Sequence, residues 1–355
     1  MALIHGGDAY GFMLEHGKAP LDFSANCNPL GVPSGVREAI RNAAATADAY
    51  PDPLCRELRI AIAQSMNLPP SQIQCGNGAA DIIFRLVLAK RPKRALLAVP
   101  TFLEYELALG LVGCDIIRFP LKKENGFKLD EQILDLIDTD VDLMFLCNPN
   151  NPTGLTVGPE LLRRILDAAH KAGTLLVVDE CFNGFLAEPQ FHSLRTLVPS
   201  YNNLFVLDAF TKLYGIAGVR LGYCLCGDEE LLASILDSGA PWSVSSLAQA
   251  AGIAALKENT YLLKMRALIR AEKVYLCNNL MRCGIKIIGS EANYLFFHTG
   301  LPDLKKRLGE RGLLIRDCSN YPGLTQGYYR IAVRSRTDNE RLLQAISDLA
   351  EAAHD

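Results

Sequence analysis

The chain has 355 residues, 49% of them hydrophobic, a formal net charge of -3 and a pI near 6.1. That length passes the size at which one core usually stops growing, so two domains, or one large α/β domain with an appendage, are expected. The mild acidity excludes the basic footprint of a nucleic-acid binder, and no stretch has the ~20 apolar residues of a membrane span or the layout of a signal peptide, so a cytoplasmic protein acting on small molecules is expected.

Eleven cysteines lie scattered without repeated spacing, Cys27, Cys75, Cys147 and Cys181 among them in apolar or Gly/Pro-rich segments. They read as reduced thiols that pack as small hydrophobes. Cys224 and Cys226 occupy alternate strand positions and so share a face. The six histidines have no metal-ligand spacing.

Residues 1–20 carry little periodicity apart from His5-Gly-Gly7, which fits either a mobile arm or a segment that lets backbone approach an anion. Asp22 to Gly31 reads as a loop closed by Pro29 and Gly31. A helix is predicted over 35–46, and Ala49-Tyr-Pro-Asp-Pro53 breaks the pattern before another begins near Leu54. In Gln74-Cys-Gly-Asn-Gly-Ala-Ala-Asp81 two glycines relax the turn, and the free N–H groups of Gly78, Ala79 and Ala80 open the helix Ile82 to Ala89, where the dipole favours an anion.

Strand and helix then alternate. Strands are predicted at Ala95–Val99, Asp115–Phe119, Asp142–Cys147, Thr174–Val178 and Leu204–Leu207, with helices at Leu103–Val112, Asp130–Ile137 and Leu161–Ala172 between the first four. The Leu/Val strands must be covered on both faces, which implies a doubly wound, mostly parallel sheet with its ligand beyond the carboxyl ends of the strands. Phe102, Asn148 to Gly154, Asp179 and Lys212 all fall at such ends. From about 229 the alternation stops. Helices near 229–238, 244–257 and 260–282, strands at Asn293–His298, Leu313–Arg316 and Tyr329–Val333, and helices at Leu304–Arg311 and Asn339–Ala352 predict a smaller α+β domain. The expected division is an N-terminal arm over 1–20, a large domain over 46–255, and a small domain from 21–45 with 256–355.

Pyridoxal phosphate needs an amine for its aldehyde, a carboxylate at the pyridine nitrogen, a donor to the ring hydroxyl, an aromatic to stack on, and an anion pocket. Lys212, Asp179, Asn151, Phe102 and the Gly76 to Ala80 turn with Arg220 match these roles in kind. The sequence resembles the fold-type I pyridoxal-phosphate enzymes, close to the histidinol-phosphate aminotransferases and closer still to the threonine-phosphate decarboxylases of cobalamin synthesis. The resemblance runs from residue 5 to about 350. It is carried by His5-Gly-Gly7, Asp22-Phe-Ser-Ala-Asn26 with Asn28-Pro-Leu-Gly31, Tyr50-Pro-Asp52, Asn148 to Gly154, Thr211-Lys212-Leu-Tyr214, Gly218 to Tyr223, Pro241-Trp-Ser-Val244, Ala292 to Leu295, Ile315 to Leu324 and Tyr328 to Arg334.

The resemblance implies a three-layer α/β/α large domain and a smaller α+β domain. It implies that Lys212 is the Schiff-base lysine, that Asp179 meets the pyridine nitrogen, that Asn151 donates to the ring oxygen and that Phe102 stacks. Gly78, Ala79, Thr211, Arg220 and, from a homodimer partner, Tyr50 would hold the phosphate. Arg330 would take the substrate carboxylate and Arg316 its phosphate, with His5, Ser24, Asn26, Asn151 and Tyr321 along the substrate side. Without it, Arg316 and Arg330 would read as surface ion-pairing residues.

The implied reaction is decarboxylation of O-phospho-L-threonine to (R)-1-amino-2-propanol O-2-phosphate, with O-phospho-L-serine as a close variant because a pocket discriminates one methyl by only about 1–3 kcal/mol. The alternatives are a histidinol-phosphate aminotransferase and a cofactor-binding scaffold without catalysis. Three departures stand out. Asp208-Ala209 replaces a segment in which many relatives place an Arg or Ser and then a Ser or Thr, removing one hydroxyl ligand to the cofactor phosphate. Phe182 replaces the tyrosine usual in the aminotransferases, as in the decarboxylases, and Asp8 replaces a more usual Asn.

Overall fold

The structure, a computed structural model, describes residues 6–352. The first elements are helix α1 (Ala9–His16), strand β1 (Leu21–Asp22), α2 (Ser34–Ala43) and α3 (Arg56–Met66). Then come β2 (Ile73–Gly76), α4 (Ala79–Lys90), β3 (Arg94–Val99), α5 (Glu104–Leu111), β4 (Asp115–Pro120) and β5 (Leu143–Cys147). Helix α6 (Pro159–Ala172) begins with proline at its first position and ends on Gly173 at φ 77, the usual pairing of a preset φ at the start and a left-handed stop. It leads into β6 (Leu175–Asp179), β7 (Leu204–Ala209), the single turn α7 (Phe210–Leu213) and β8 (Gly222–Cys226).

These strands form a seven-stranded sheet in the order β2-β8-β7-β6-β5-β3-β4. Neighbours from β7 to β4 are parallel, and β8 runs antiparallel to both β7 and β2. Alternate residues of each strand feed opposite cores, as the two-residue period requires. Leu176 and Val178 pack with Leu162, Ile165 and Leu166 of α6, whereas Val177 packs with Ile83 and Leu86 of α4 and with Tyr105 of α5. The sheet is therefore sandwiched between helices, and its parallel strands end along one edge.

The chain continues through α8 (Glu229–Asp237), α9 (Ser246–Ala255), the 24-residue α10 (Asn259–Arg282), β9 (Lys286–Gly289), β10 (Tyr294–His298) and α11 (Leu304–Glu310). It closes with β11 (Leu313–Leu314), β12 (Arg316–Asp317), β13 (Tyr328–Ala332) and α12 (Arg336–Glu351). Strands β12-β13-β10-β9 make an antiparallel sheet, and its core joins Phe297 and Ile331 to Leu276 of α10 and Ile346 of α12. Among the described residues, no helix is long and apolar enough to cross a membrane.

Four expectations change. Residues Glu131–Leu136 form a tight 3-10 turn rather than an α-helix, with Asp130 accepting from the N–H of Gln132. The predicted strand Leu313–Arg316 is split: Leu313 and Leu314 pair in parallel with Leu21 and Asp22, while Arg316 turns to pair with Arg330. The N-terminal stretch contains α1, capped by the Asp8 carboxylate on the N–H of Gly11. Strands β2 and β9 had no predicted counterpart; both are only four residues long, too short to establish a period.

Candidate active site

A cavity of about 340 Å³ opens beyond the carboxyl ends of β3, β5, β6 and β7 and is walled on its other side by Arg316 and Arg330. Asp179, 5% exposed, ends β6. Its Oδ2 accepts from the Tyr105 hydroxyl at 2.7 Å and its Oδ1 from the Cys181 N–H at 3.0 Å, so both oxygens are held in place. Tyr105 is sealed in the core and stacks on Phe145 at 4.5 Å. Burial first, then the Asp179 charge, pushes its pKa well up, so it stays a proton donor.

Lys212 sits in the turn that follows β7, its Nζ 4.5 Å from the centre of the Phe182 ring. Phe182 in turn meets Tyr294 edge-on at 5.0 Å. The position where the aminotransferases would offer a phenol therefore presents only an aromatic face to the amine.

The anion cradle forms where β2 turns into α4. Gly78 has φ 84, and a Cβ there would lie 2.6 Å from Nη2 of Arg220. A Cβ on Gly222 would lie 2.5 Å from the N of Ala79. Both glycines thus keep open the space in which the helix N–H groups and the guanidinium converge. Arg220 itself adopts φ 62 and donates to the Ala217 carbonyl at 3.2 Å, and Thr211 is buried at the start of α7.

The other wall carries the cations. Arg316 and Arg330 are 8% and 6% exposed, so the surface ion-pair alternative is overturned. Arg330 donates to the side-chain oxygen of Asn151 and, at 2.8 Å, to the carbonyl of Ser24, while its Nε is buried with no partner among the described residues. Arg316 donates to the Asp317 carbonyl at 2.7 Å and to Asn320 Oδ1 at 2.8 Å and lies over the Tyr321 ring. The Ser24 hydroxyl donates to Asp22 at 2.6 Å and accepts from the Gly7 N–H at 2.7 Å. A Cβ on Gly6 would sit 2.5 Å from the Ser24 carbonyl oxygen, so the glycine pair lets the arm lie against this wall. Asn26 is 5% exposed, yet among the described residues neither atom of its side-chain amide has a partner.

Of the residues singled out from sequence, Ser24, Asn26, Ala79, Phe102, Asn151, Asp179, Thr211, Lys212, Arg220, Arg316, Tyr321 and Arg330 line this one cavity, and Gly78 stands directly behind Ala79. Tyr50 does not. It is 82% exposed and its ring meets that of Trp242 at a tilt, 4.9 Å between centres, away from the cavity of its own chain. His5 lies outside the described residues. Cys27 and Cys181, expected only to pack as small hydrophobes, also line the cavity, as does Glu104, for which the sequence carried no expectation. No local signal marked Tyr105, whose hydroxyl meets Asp179 only through the fold.

A carboxylate and an amine at neighbouring strand ends, with a glycine-opened helix start beside them and two arginines opposite, define a class of α/β proteins built to hold an anionic cofactor and a second anion. The chain belongs to the aminotransferase class I and II family, whose profile matches residues 18–346. Within it, the chain is 36% identical over 351 residues to the threonine-phosphate decarboxylase of Salmonella typhimurium, covering 97% of this chain and 96% of that protein. It is also 36% identical to the histidinol-phosphate aminotransferase of Symbiobacterium thermophilum, over 90% of this chain and 88% of that one. An adenosylcobalamin biosynthesis bifunctional protein of Leptospira interrogans matches at 29%, over 97% of this chain and 41% of that protein. Among solved structures, the L-threonine-O-3-phosphate decarboxylase of Porphyromonas gingivalis superposes with a TM-score of 0.81 at 25% identity, covering 93% of this chain and 99% of that one.

Proposed function

We propose that the protein is a pyridoxal-phosphate-dependent decarboxylase of O-phospho-L-threonine, forming (R)-1-amino-2-propanol O-2-phosphate in cobalamin biosynthesis, with O-phospho-L-serine as a close second substrate. The observation that carries this reading is the pair of buried guanidiniums, Arg316 and Arg330, across one cavity from Lys212 and Asp179. A substrate with two anionic ends needs two such forks, and guanidinium suits both carboxylate and phosphate. The cofactor fits the same cavity. The cradle at Gly78 and Gly222 is space that a side chain would fill, and Asn26 and Arg330 Nε are buried polar atoms still to be satisfied.

Bound there, pyridoxal phosphate supplies an electron sink for the pair left when a bond to Cα breaks. The chain does the rest. Asp179, held by Tyr105 and the Cys181 N–H, is the anion that keeps the pyridine nitrogen protonated. Asn151 has its oxygen taken by Arg330, which leaves its Nδ2 as the donor to the ring oxygen. Phe102 stacks on the ring, and Gly78, Ala79, Thr211 and Arg220 take the phosphate, with Tyr50 reaching in from the second subunit of a homodimer. Arg330 holds the substrate carboxylate and Arg316 its phosphate. Lys212 carries the cofactor and returns a proton to Cα once carbon dioxide has left. Ser24, Asn26, Tyr321 and His5 line the substrate side. In this reading 46–255 holds the cofactor, while 21–45 with 256–355 brings the arginines and 1–20 is the arm.

The test is carbon dioxide release from O-phospho-L-threonine by the purified protein with added pyridoxal phosphate, beside O-phospho-L-serine and histidinol phosphate. Release from the phosphoamino acids without an added 2-oxo acid is expected. Turnover seen only with histidinol phosphate and 2-oxoglutarate would instead select the aminotransferase. Borohydride should fix the cofactor on Lys212 in the wild type and leave Lys212→Ala unlabelled; an unlabelled wild type would favour a scaffold without catalysis.

A further inference from the structure

Directly after Asp179, the Glu180 side chain is sealed from solvent. Its Oε2 accepts from Arg195 at 2.6 Å and from the Ser193 hydroxyl at 2.7 Å, and its Oε1 from the Leu194 N–H at 2.9 Å. The same Nη2 of Arg195 reaches Asp208 Oδ2 at 3.2 Å, and that oxygen also accepts from the Tyr223 hydroxyl at 2.8 Å. Asp208 and Tyr223 are cross-strand partners on β7 and β8, one step before the Ala209–Gly222 pair that abuts the phosphate cradle. The guanidinium therefore ties two strand ends directly, and Asp208 adds a third through Tyr223. The first carries Asp179, the second runs on to Thr211 and Lys212, and the third follows Arg220.

None of Glu180, Arg195, Asp208 or Tyr223 lines the cavity, so none touches what binds there. Stability alone is a poor reason for such a group, because a buried ion cluster can often be exchanged for apolar residues without loss. What it supplies is a fixed separation between groups that must meet opposite ends of one ring. It also accounts for Asp208, the odd residue of its segment: an arginine at 208 would face Arg195 like against like, whereas the aspartate completes a bridge whose cation comes from another loop. We propose that Arg195 is a positioning residue which, through Glu180 and Asp208, sets the spacing of Asp179 and Lys212 and thereby the fit of the cofactor.

This rests on the reading of Asp179 and Lys212 as cofactor ligands, and pyridoxal phosphate uptake by the wild-type chain tests that reading separately. Given uptake, Arg195→Gln is expected to weaken pyridoxal phosphate binding, measured by equilibrium dialysis, by about tenfold or more, the usual effect of losing hydrogen bonds to charged groups. It should also move the pH midpoint of the bound cofactor's visible absorbance and lower kcat while leaving KM for O-phospho-L-threonine near the wild-type value. Arg195→Lys should recover part of the affinity. The double variant Arg195→Gln with Asp208→Arg, which brings the cation from the opposite side of the bridge, should recover more than Arg195→Gln alone. If Arg195→Gln fails to fold, Asp208→Asn removes one arm of the bridge at nearly constant volume and is read by the same dialysis and titration. A lowered urea midpoint with unchanged cofactor affinity and unchanged absorbance titration, in whichever variant folds, would overturn the proposal.

Discussion

Tyr105 and Asp179 are 74 positions apart in the chain and 2.7 Å apart in the fold, and neither is replaceable by a residue of the same shape without chemical consequence. Tyr105→Phe keeps the ring stacked on Phe145 but leaves Asp179 Oδ2 without that donor in a dry site. A hydrogen bond to a charged group is worth about 1.5–3 kcal/mol, so a loss on the order of tenfold or more in kcat or in cofactor affinity is expected. Steady-state kinetics and dialysis check this; an unaltered variant would mean that the Cys181 N–H suffices. Lys212, Asp179, Asn151 and Phe102 were legible in the sequence because each follows an apolar run that can hardly be anything but a buried strand, and strand ends are where such sheets bind ligands. Tyr105 was not, because an aromatic on a helix is usually core and nothing local marks its hydroxyl as facing a carboxylate. Cys27 reads from its segment as a small hydrophobe, yet it lines the cavity, where burial raises its thiol pKa and the nearby Lys212 charge partly offsets that.

At the level of elements, the antiparallel strand β8 does most to shape the cofactor end, because its first residue must let the start of α4 approach. Gly222→Ala would set a methyl against Ala79 N and the Gly78 carbonyl carbon at 2.5 and 2.6 Å, backbone atoms with little freedom to retreat. Overpacking of this kind costs about 1–3 kcal/mol. Thermal melts should register that loss, and phosphate-dependent cofactor binding should weaken more than the melt alone implies. The bridge behind β7 has its own pH signature. Burial, only partly opposed by Arg195 and the Tyr223 hydroxyl, raises the Asp208 pKa above its ordinary 3.8. The folded chain then keeps this proton at pH values where the unfolded chain has lost it, so the group's contribution to stability falls as pH rises from 3.8 through the raised value. Asp208→Asn removes that dependence. The difference between wild-type and variant unfolding free energies, taken from urea titrations at several pH values, should shift against the wild type across this window. Such features escape a reading of local pattern: the bridge joins residues brought together by three different strands, and the split of 313–317 depends on Leu21 arriving from the far end of the chain.

For the whole molecule, the decisive residue is one that does not line the cavity of its own chain. Tyr50 is 82% exposed and rests on Trp242, itself half exposed, which is a poor place for two large aromatics on a protein that stays alone. If the phosphate cradle is completed by Tyr50 of a second copy, the protein sediments as a dimer, and Tyr50→Phe weakens pyridoxal phosphate binding by about tenfold while leaving the dimer intact, as loss of one hydrogen bond to a charged phosphate would. Mixing separates this from a purely structural role. A Lys212→Ala chain and a Tyr50→Ala chain each lack one part, and in a two-fold dimer each site takes its lysine from one copy and its tyrosine from the other. A heterodimer then holds one intact site and one doubly defective site, so an equal, fully exchanged mixture should regain about a quarter of wild-type sites, with activity rising as subunits exchange. Recovery no greater than the sum of the two parents would mean that each chain completes its own cradle, and the exposed pair at Tyr50 and Trp242 would then have no part in the site.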